Sequence, residues 1–162
     1  LPFIIQILYS YSFNMVSLPD VQSFLNSENG LATVSTIQID GGILSSVVNC
    51  GVVTHPRTKD LCVAFVSVGE AARLKHIQRG SKVTISIRRG WKWVSVTGNA
   101  ALFGPENISN SLSAESLRLL LRDVFVAAGG KHDNFEEYDQ VMASEKRVVV
   151  CIEIERILGN SN

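Results

Sequence analysis

From Ser17 onward the apolar positions fall into two periodicities. Leu18, Val21, Phe24 and Leu25 recur at three- and four-residue spacing behind Ser17 and Asp20, a helix-start pair, and "NSENG" ends that helix near Gly30. The pattern then changes to β-branched runs: "LATVSTI" (31–37), "ILSSVVNCGVV" (43–53) and "LCVAFVS" (61–67), separated by the turn signals "DGG" and "THPRTKD". Three hairpin-linked strands follow from that spacing. After a basic segment, "VTISIR" (83–88) and "KWVSVTGNAALF" (92–103) predict a hairpin around "RGW", and "RVVVCIEI" (147–154) a sixth strand. Between these, Ser113 caps a helix striped by Leu117, Leu120, Leu121, Val124 and Ala128, and Asp133 with Glu136 opens another carrying Phe135, Tyr138 and Met142. The expected fold is mainly β: a six-stranded antiparallel barrel, closed or partly closed, with peripheral helices.

Composition narrows the classes. With 162 residues, 46% of them hydrophobic, the chain suits one domain, expected over 17–162. Residues 1–16 read as an apolar extension. Its "LPFIIQILYSYSFN" lacks a basic n-region and a small-residue cleavage site and is too short to span a bilayer; because Met15 and a helix start follow, translation is expected to begin at Met15, the rival reading being a real strand or interfacial arm. Fifteen basic residues balance fifteen acidic ones, which leaves no net field to hold nucleic acid or an anionic membrane. Cys50, Cys62 and Cys151 are odd in number and sit in apolar runs, as buried reduced thiols do, which points to a reducing cytoplasm. No Ser-His-Asp order, HExxH, GxGxxG, Walker A or paired-carboxylate motif occurs, so no catalytic residue and no metal ligand is assigned.

The segment "SVGEAARLKHIQRGSK" (67–82) carries the densest candidate chemistry. Ser67 and Glu70 have capping-box spacing, Leu74 and Ile77 would face the barrel, and Arg73, Lys75, His76 and Arg79 fall elsewhere. Cations in the first turns of a helix oppose its dipole unless an anion sits there. The segment therefore reads either as a solvated connecting helix or as one wall of a phosphate site. "GWKW" sets Trp91 and Trp93 on one face, as a stacking platform or as core and edge packing. "SSVV" (45–48) offers hydroxyls and backbone groups, "GGKHDN" (129–134) a glycine-rich loop, and His55 in the polar "THPRTK" turn is expected to be exposed.

The ordered series "GLATVST", "ILSSVVN", "LCVAFVS", "ARLKHIQRGSKVTISI", "GWKWVSVTGNAAL" and "EKRVVVCIEIERILG" resembles the pyridoxamine 5'-phosphate oxidase-like split β-barrel flavoproteins over roughly residues 18–159. Within that superfamily it is most similar to the deazaflavin branch that uses coenzyme F420. The resemblance implies a homodimer with cofactors at the subunit interface. It also implies a phosphate held by Arg73 and Lys75 with His76, a ring or tail lined by Ser45, Ser46, Val47, Val66 and Ser67, and Trp91 and Trp93 approaching from the next hairpin. The sequence departs from the family pattern at Ala71, Arg73 and His76. Coenzyme F420 is the expected cofactor and FMN the alternative, with hydride transfer to a conjugated small molecule as the expected reaction. A non-catalytic flavin carrier or sensor is the rival reading. A module stacking single-stranded nucleic acid on the tryptophans is disfavoured by the zero net charge.

Overall fold

The first helix starts where the sequence places it. Asp20 accepts hydrogen bonds from the Ser17 N–H (2.8 Å) and hydroxyl (2.9 Å), and α1 (Leu18–Ser27) turns Val21, Phe24 and Leu25 into the core. The computed structural model describes residues 15–105 and 112–160; the apolar segment 1–14 and the expected start that follows from it lie outside those residues. Eight strands follow: β1 (Leu31–Ile37), β2 (Ile43–Thr54), β3 (Leu61–Ser67), β4 (Val83–Arg89), β5 (Lys92–Gly98), β6 (Ala100–Phe103), β7 (Val148–Ile152) and β8 (Arg156–Gly159). Three more helices join them: α2 (Ala72–Gln78), α3 (Ala114–Ala127) and α4 (Phe135–Ser144).

The strand order is β6-β7-β3-β2-β1-β4-β5-β8, with every pair antiparallel. Eight strands replace the expected six because the run 92–103 is bent into two and because the chain pairs again beyond the expected end of the sixth strand at 154. β5 passes into β6 through Gly98 and Asn99, and β7 into β8 through residues 153–155. The ladder continues around both bends, since the Glu153 N–H donates to the Asn99 carbonyl (2.8 Å) and the Glu155 N–H to the Thr97 carbonyl (3.0 Å). Counted along the bent strands, the ring has six members and closes on itself. Gly98 permits the corner: a Cβ there would lie 1.6 Å from the Glu153 carbonyl oxygen.

Two apolar layers result. Inward residues of the ring, among them Val34, Val63, Phe65, Ile85, Val96 and Val150, pack with α1 and with Leu74 and Ile77 of α2. The outer face of β3, β7 and β6 is covered by α3 and α4 through Leu120, Leu121, Val124 and Tyr138. Ser113 caps α3 as expected, its hydroxyl accepting from the Ser116 N–H at 3.1 Å. At α4 the cap is Asn134 rather than Asp133; its side chain accepts from the Glu136 and Glu137 N–H groups. The capping box expected of Ser67 and Glu70 does not form. Ser67 is still in β3, α2 starts at Ala72, and Lys75 and His76 fall in its last turn. Positive charge is favourable there, so the dipole argument for an anion does not hold for Lys75 and His76.

Candidate functional site

The β2–β3 ladder stops at the Cys50↔Phe65 pair. Beyond it Leu31–Ile37 of β1 holds Ile43–Asn49 of β2, while β7 holds Val66 and Ser67 of β3, so the two strands part company. Arg73 occupies the gap. Its guanidinium donates to the Ser46 hydroxyl (2.8 Å) on one strand and the Ser67 hydroxyl (3.3 Å) on the other, and it lies 5.9 Å from the centre of the Phe65 ring. No carboxylate pairs with it among the described residues. Burial without a counter-charge pulls its pKa down, although a guanidinium stays protonated at any physiological pH.

Arg73 forms one side of a cleft of about 420 Å³. Val47, Asn49 and Val66 supply the strand wall, and Phe125, Tyr138 and Arg147 face them. The Tyr138 hydroxyl donates to the Leu121 carbonyl (3.1 Å), and burial pushes its pKa up to about 12, so it stays protonated. The helical wall is fastened by Asp139, which takes both Arg118 (3.0 Å) and Arg122. Arg147 is paired with Glu145 at 2.5 Å, which leaves Arg73 as the cation of this cleft without an acidic partner among the described residues.

Of the residues singled out in the sequence, Ser46, Ser67 and Arg73 come together and Val47 and Val66 line the same cleft. Ser45 points to the other face of β2, where its hydroxyl meets that of Ser35 at 2.8 Å. Lys75, two residues from Arg73 and so about 200° around the helix, is exposed. His76 is buried with its Nδ1 2.9 Å from the Thr36 hydroxyl. Trp91 and Trp93 line a second, open groove of about 590 Å³ with Leu31 and Ile87; Val47 belongs to both walls. Trp91 sits in the turn before β5 rather than on a strand and is 97% exposed. Sequence reasoning missed Asn49, Phe125, Tyr138 and Arg147. Tyr138 stood in the α4 stripe and Arg147 at the head of "RVVVCIEI", but their convergence depends on how α3 and α4 dock.

His55 corrects an expectation. It is 1% exposed, its Nδ1 accepts from the Arg57 and Thr58 N–H groups (3.2 and 3.1 Å), and its ring meets Phe103 edge-on. The histidine is the turn's internal acceptor, which is why a polar-looking loop buries it.

No protein-family model matches the chain. Solved structures do. A conserved hypothetical protein of Mycobacterium tuberculosis matches at 20% identity over 89% of this chain and 84% of that one, with a TM-score of 0.62. A candidate pyridoxamine 5'-phosphate oxidase of Lactobacillus delbrueckii matches at 15% identity over 91% and 97%, with a TM-score of 0.53. The fold is the split β-barrel. HutZ, a haem storage protein of Vibrio cholerae, shares it at 11% identity over 87% and 92%, with a TM-score of 0.53. At such identities the likeness is one of fold. In this split barrel no described helix is long and apolar enough to cross a membrane, and no cluster of metal-ligating side chains forms among the described residues.

Proposed function

We propose that this chain binds a flavin mononucleotide-type cofactor in the β2–β3 cleft, as a homodimer, and acts as an oxidoreductase on a conjugated small molecule. The observation that carries the reading is Arg73: a half-buried guanidinium with no carboxylate partner among the described residues, flanked by the Ser46 and Ser67 hydroxyls. Arg73 and the Ser46 hydroxyl suit a phosphate, with charge-assisted bonds from the arginine, while the buried Ser67 hydroxyl, which donates to the Val68 carbonyl (3.2 Å), helps hold the guanidinium in place. The volume of about 420 Å³ and the apolar Val47 and Val66 wall suit the non-polar part of such a ligand. The polyanionic tail of the deazaflavin favours several cations, whereas Lys75 faces solvent and His76 is engaged with Thr36. One unpaired cation favours a single phosphate. Among the described residues no histidine lines the cleft, which weighs against haem there.

A bound flavin would supply the hydride chemistry. The chain's part is to hold the phosphate, exclude water with the α3 and α4 wall, and orient the substrate. Tyr138 keeps its proton and donates it to the Leu121 carbonyl, so it is not assigned as the proton donor of the reaction.

Titrating the protein separately with FMN and with coenzyme F420 tests this by ligand fluorescence. FMN is expected to bind more tightly, and Arg73→Ala to weaken it by roughly ten- to a hundredfold, since charge-assisted hydrogen bonds contribute on the order of 1.5–3 kcal/mol each. Arg156→Ala, an equal charge loss on β8, is expected to leave affinity unchanged. Equal affinity of all three proteins overturns the assignment of Arg73, and tighter F420 binding restores the deazaflavin. Absence of quinone or enone reduction by the reduced holoprotein leaves a flavin carrier.

A further inference from the structure

A second cavity, of about 200 Å³, lies at the edge of the helix-covered layer, away from the β2–β3 cleft, and is lined by His55, Asp60, Cys62 and Glu153. Two features of it are unexplained by packing. The first is a buried donor. Because His55 Nδ1 accepts two backbone N–H groups, the neutral ring carries its proton on Nε2, and that atom has no hydrogen-bond partner. It points toward Glu153, whose Oε1 is 3.7 Å away, too far for a hydrogen bond. A buried N–H of this kind costs stability unless something small and polar accepts from it.

The second feature is a thiol pair. Cys62 on β3 lies one step beyond the Val63↔Ile152 pair, and Cys151 on β7 pairs with Ala64, so the two cysteines are diagonal neighbours on one face of the sheet. Both lie in the apolar cluster between the sheet and α3 and α4. All three cysteines are reduced and buried, but only Cys62 lines the cavity.

We propose that Cys62 and Cys151 form a peroxide-reactive dithiol, in which Cys62 is oxidised inside this cavity under the His55 Nε2–H donor and Cys151 resolves it to a disulfide. The cavity has room for a hydroperoxide, given about 30 Å³ for each water-sized group. In the first step the Cys62 sulfur attacks one peroxide oxygen, an S–O bond forms, and the O–O bond breaks. Hydroxide departs, hydrogen-bonded by His55 Nε2–H, and leaves as water after taking the Cys62 proton. In the second step the Cys151 sulfur attacks the sulfenic sulfur. The S–S bond forms, the S–O bond breaks, and hydroxide leaves with the Cys151 proton as a second water. Both thiols are oxidised by two electrons in total and one peroxide is reduced. Cys62 lines the cavity and Cys151 does not, which assigns the attacking and resolving roles; the Cys151 thiol beside it lowers the Cys62 pKa, while Cys62 and burial push that of Cys151 up. Cys50 lies in the barrel interior, where burial pushes its thiol up, and serves as an internal control.

The test exposes the folded full-length chain to hydrogen peroxide, blocks remaining thiols under denaturing conditions, and maps the peptides by mass. The expected result is a Cys62–Cys151 disulfide, reversible by dithiothreitol, with Cys50 fully alkylated. Cys151→Ser is expected to accumulate a sulfenic acid on Cys62, trapped by dimedone. His55→Asn is expected to slow oxidation by roughly tenfold, as loss of one hydrogen bond to the leaving oxygen would. Oxidation of Cys50 at the same rate as Cys62, or survival of both Cys62 and Cys151 as free thiols, overturns the proposal. Both outcomes are read on the unmutated protein, so they do not depend on any variant folding.

Discussion

His55 illustrates how a single side chain can make a loop respond to pH. Burial lowers its pKa, and that outweighs the nearby Glu153 carboxylate; the exposed Arg57 and Lys59 push the same way as burial, and Asp60 opposes them. With a folded pKa below the unfolded value of about 6.5, the unfolded chain binds the proton first. His55 therefore contributes its full stabilisation above pH 6.5 and loses it as the pH falls from there toward the depressed value, with a limiting slope of about 1.4 kcal/mol per pH unit. His55→Asn keeps an acceptor for the Arg57 and Thr58 N–H groups but cannot titrate. Melting the two proteins from pH 8 to pH 5 is expected to give a steeper acid loss for the unmutated chain. Parallel curves would show that this histidine does not drive the acid response.

Among the elements, the β5–β6 corner depends on one residue. Gly98→Ala drives a Cβ into the Glu153 carbonyl at a point where the ladder must continue, and backbone cannot give way as a flexible side chain would. A destabilisation of about 3–5 kcal/mol is expected from chemical denaturation, in the range left for core strain. Gly80→Ala, with φ +93° and nothing within 4 Å of the added methyl, is expected to cost only about 1–2 kcal/mol of backbone strain. Similar midpoints for both would overturn the account of the corner. The same corner explains what was readable beforehand. β1 and β3 are found at Leu31–Ile37 and Leu61–Ser67, the very runs their β-branched residues predict, because alternation is a local signal. The break at Gly98 shows in the run 92–103 only as a Gly-Asn step, and what requires it to be a corner is a carbonyl 55 residues away in sequence. α2 was misplaced for the same kind of reason. Ser67 looked like a cap, but β7 retains it in the sheet and Arg73 takes its hydroxyl. At the candidate site, residues of β2, β3 and α2 were legible from their order, while Phe125, Tyr138 and Arg147 arrive only through the docking of α3 and α4.

At the scale of the molecule, one face is left apolar. Leu31, Val47 and Trp91 are 52%, 67% and 97% exposed around the groove that shares Val47 with the cleft, and Ile43 lies on the same outward side of β2. Such a contiguous apolar patch is covered in most water-soluble proteins. A second copy of the chain is the occupant that the proposed homodimer supplies, and its seat beside Val47 would bring the partner to the rim of the flavin site. Val47→Asp combined with Trp91→Ser is expected to shift sedimentation from dimer to monomer while the isolated barrel stays folded by circular dichroism. A monomer for the unmutated chain at all concentrations would remove the dimer, and with it the shared site.

The parting of β2 from β3 has a further consequence, for the rate at which backbone protons leave the protein. Along Cys50–Thr54 the strand is laddered by β3 alone, and along Ile43–Asn49 by β1 alone, on the opposite side. In an antiparallel strand successive amides point to opposite sides. Every second amide of the earlier stretch therefore faces the cleft. Hydrogen–deuterium exchange should alternate between slow and fast amides along this 12-residue strand, the fast ones facing the cleft up to Asn49 and lying on the side away from β3 beyond it. A ligand seated in the cleft should slow only the fast amides before Cys50, which makes the midpoint of β2 a built-in reporter of occupancy that needs neither colour nor turnover.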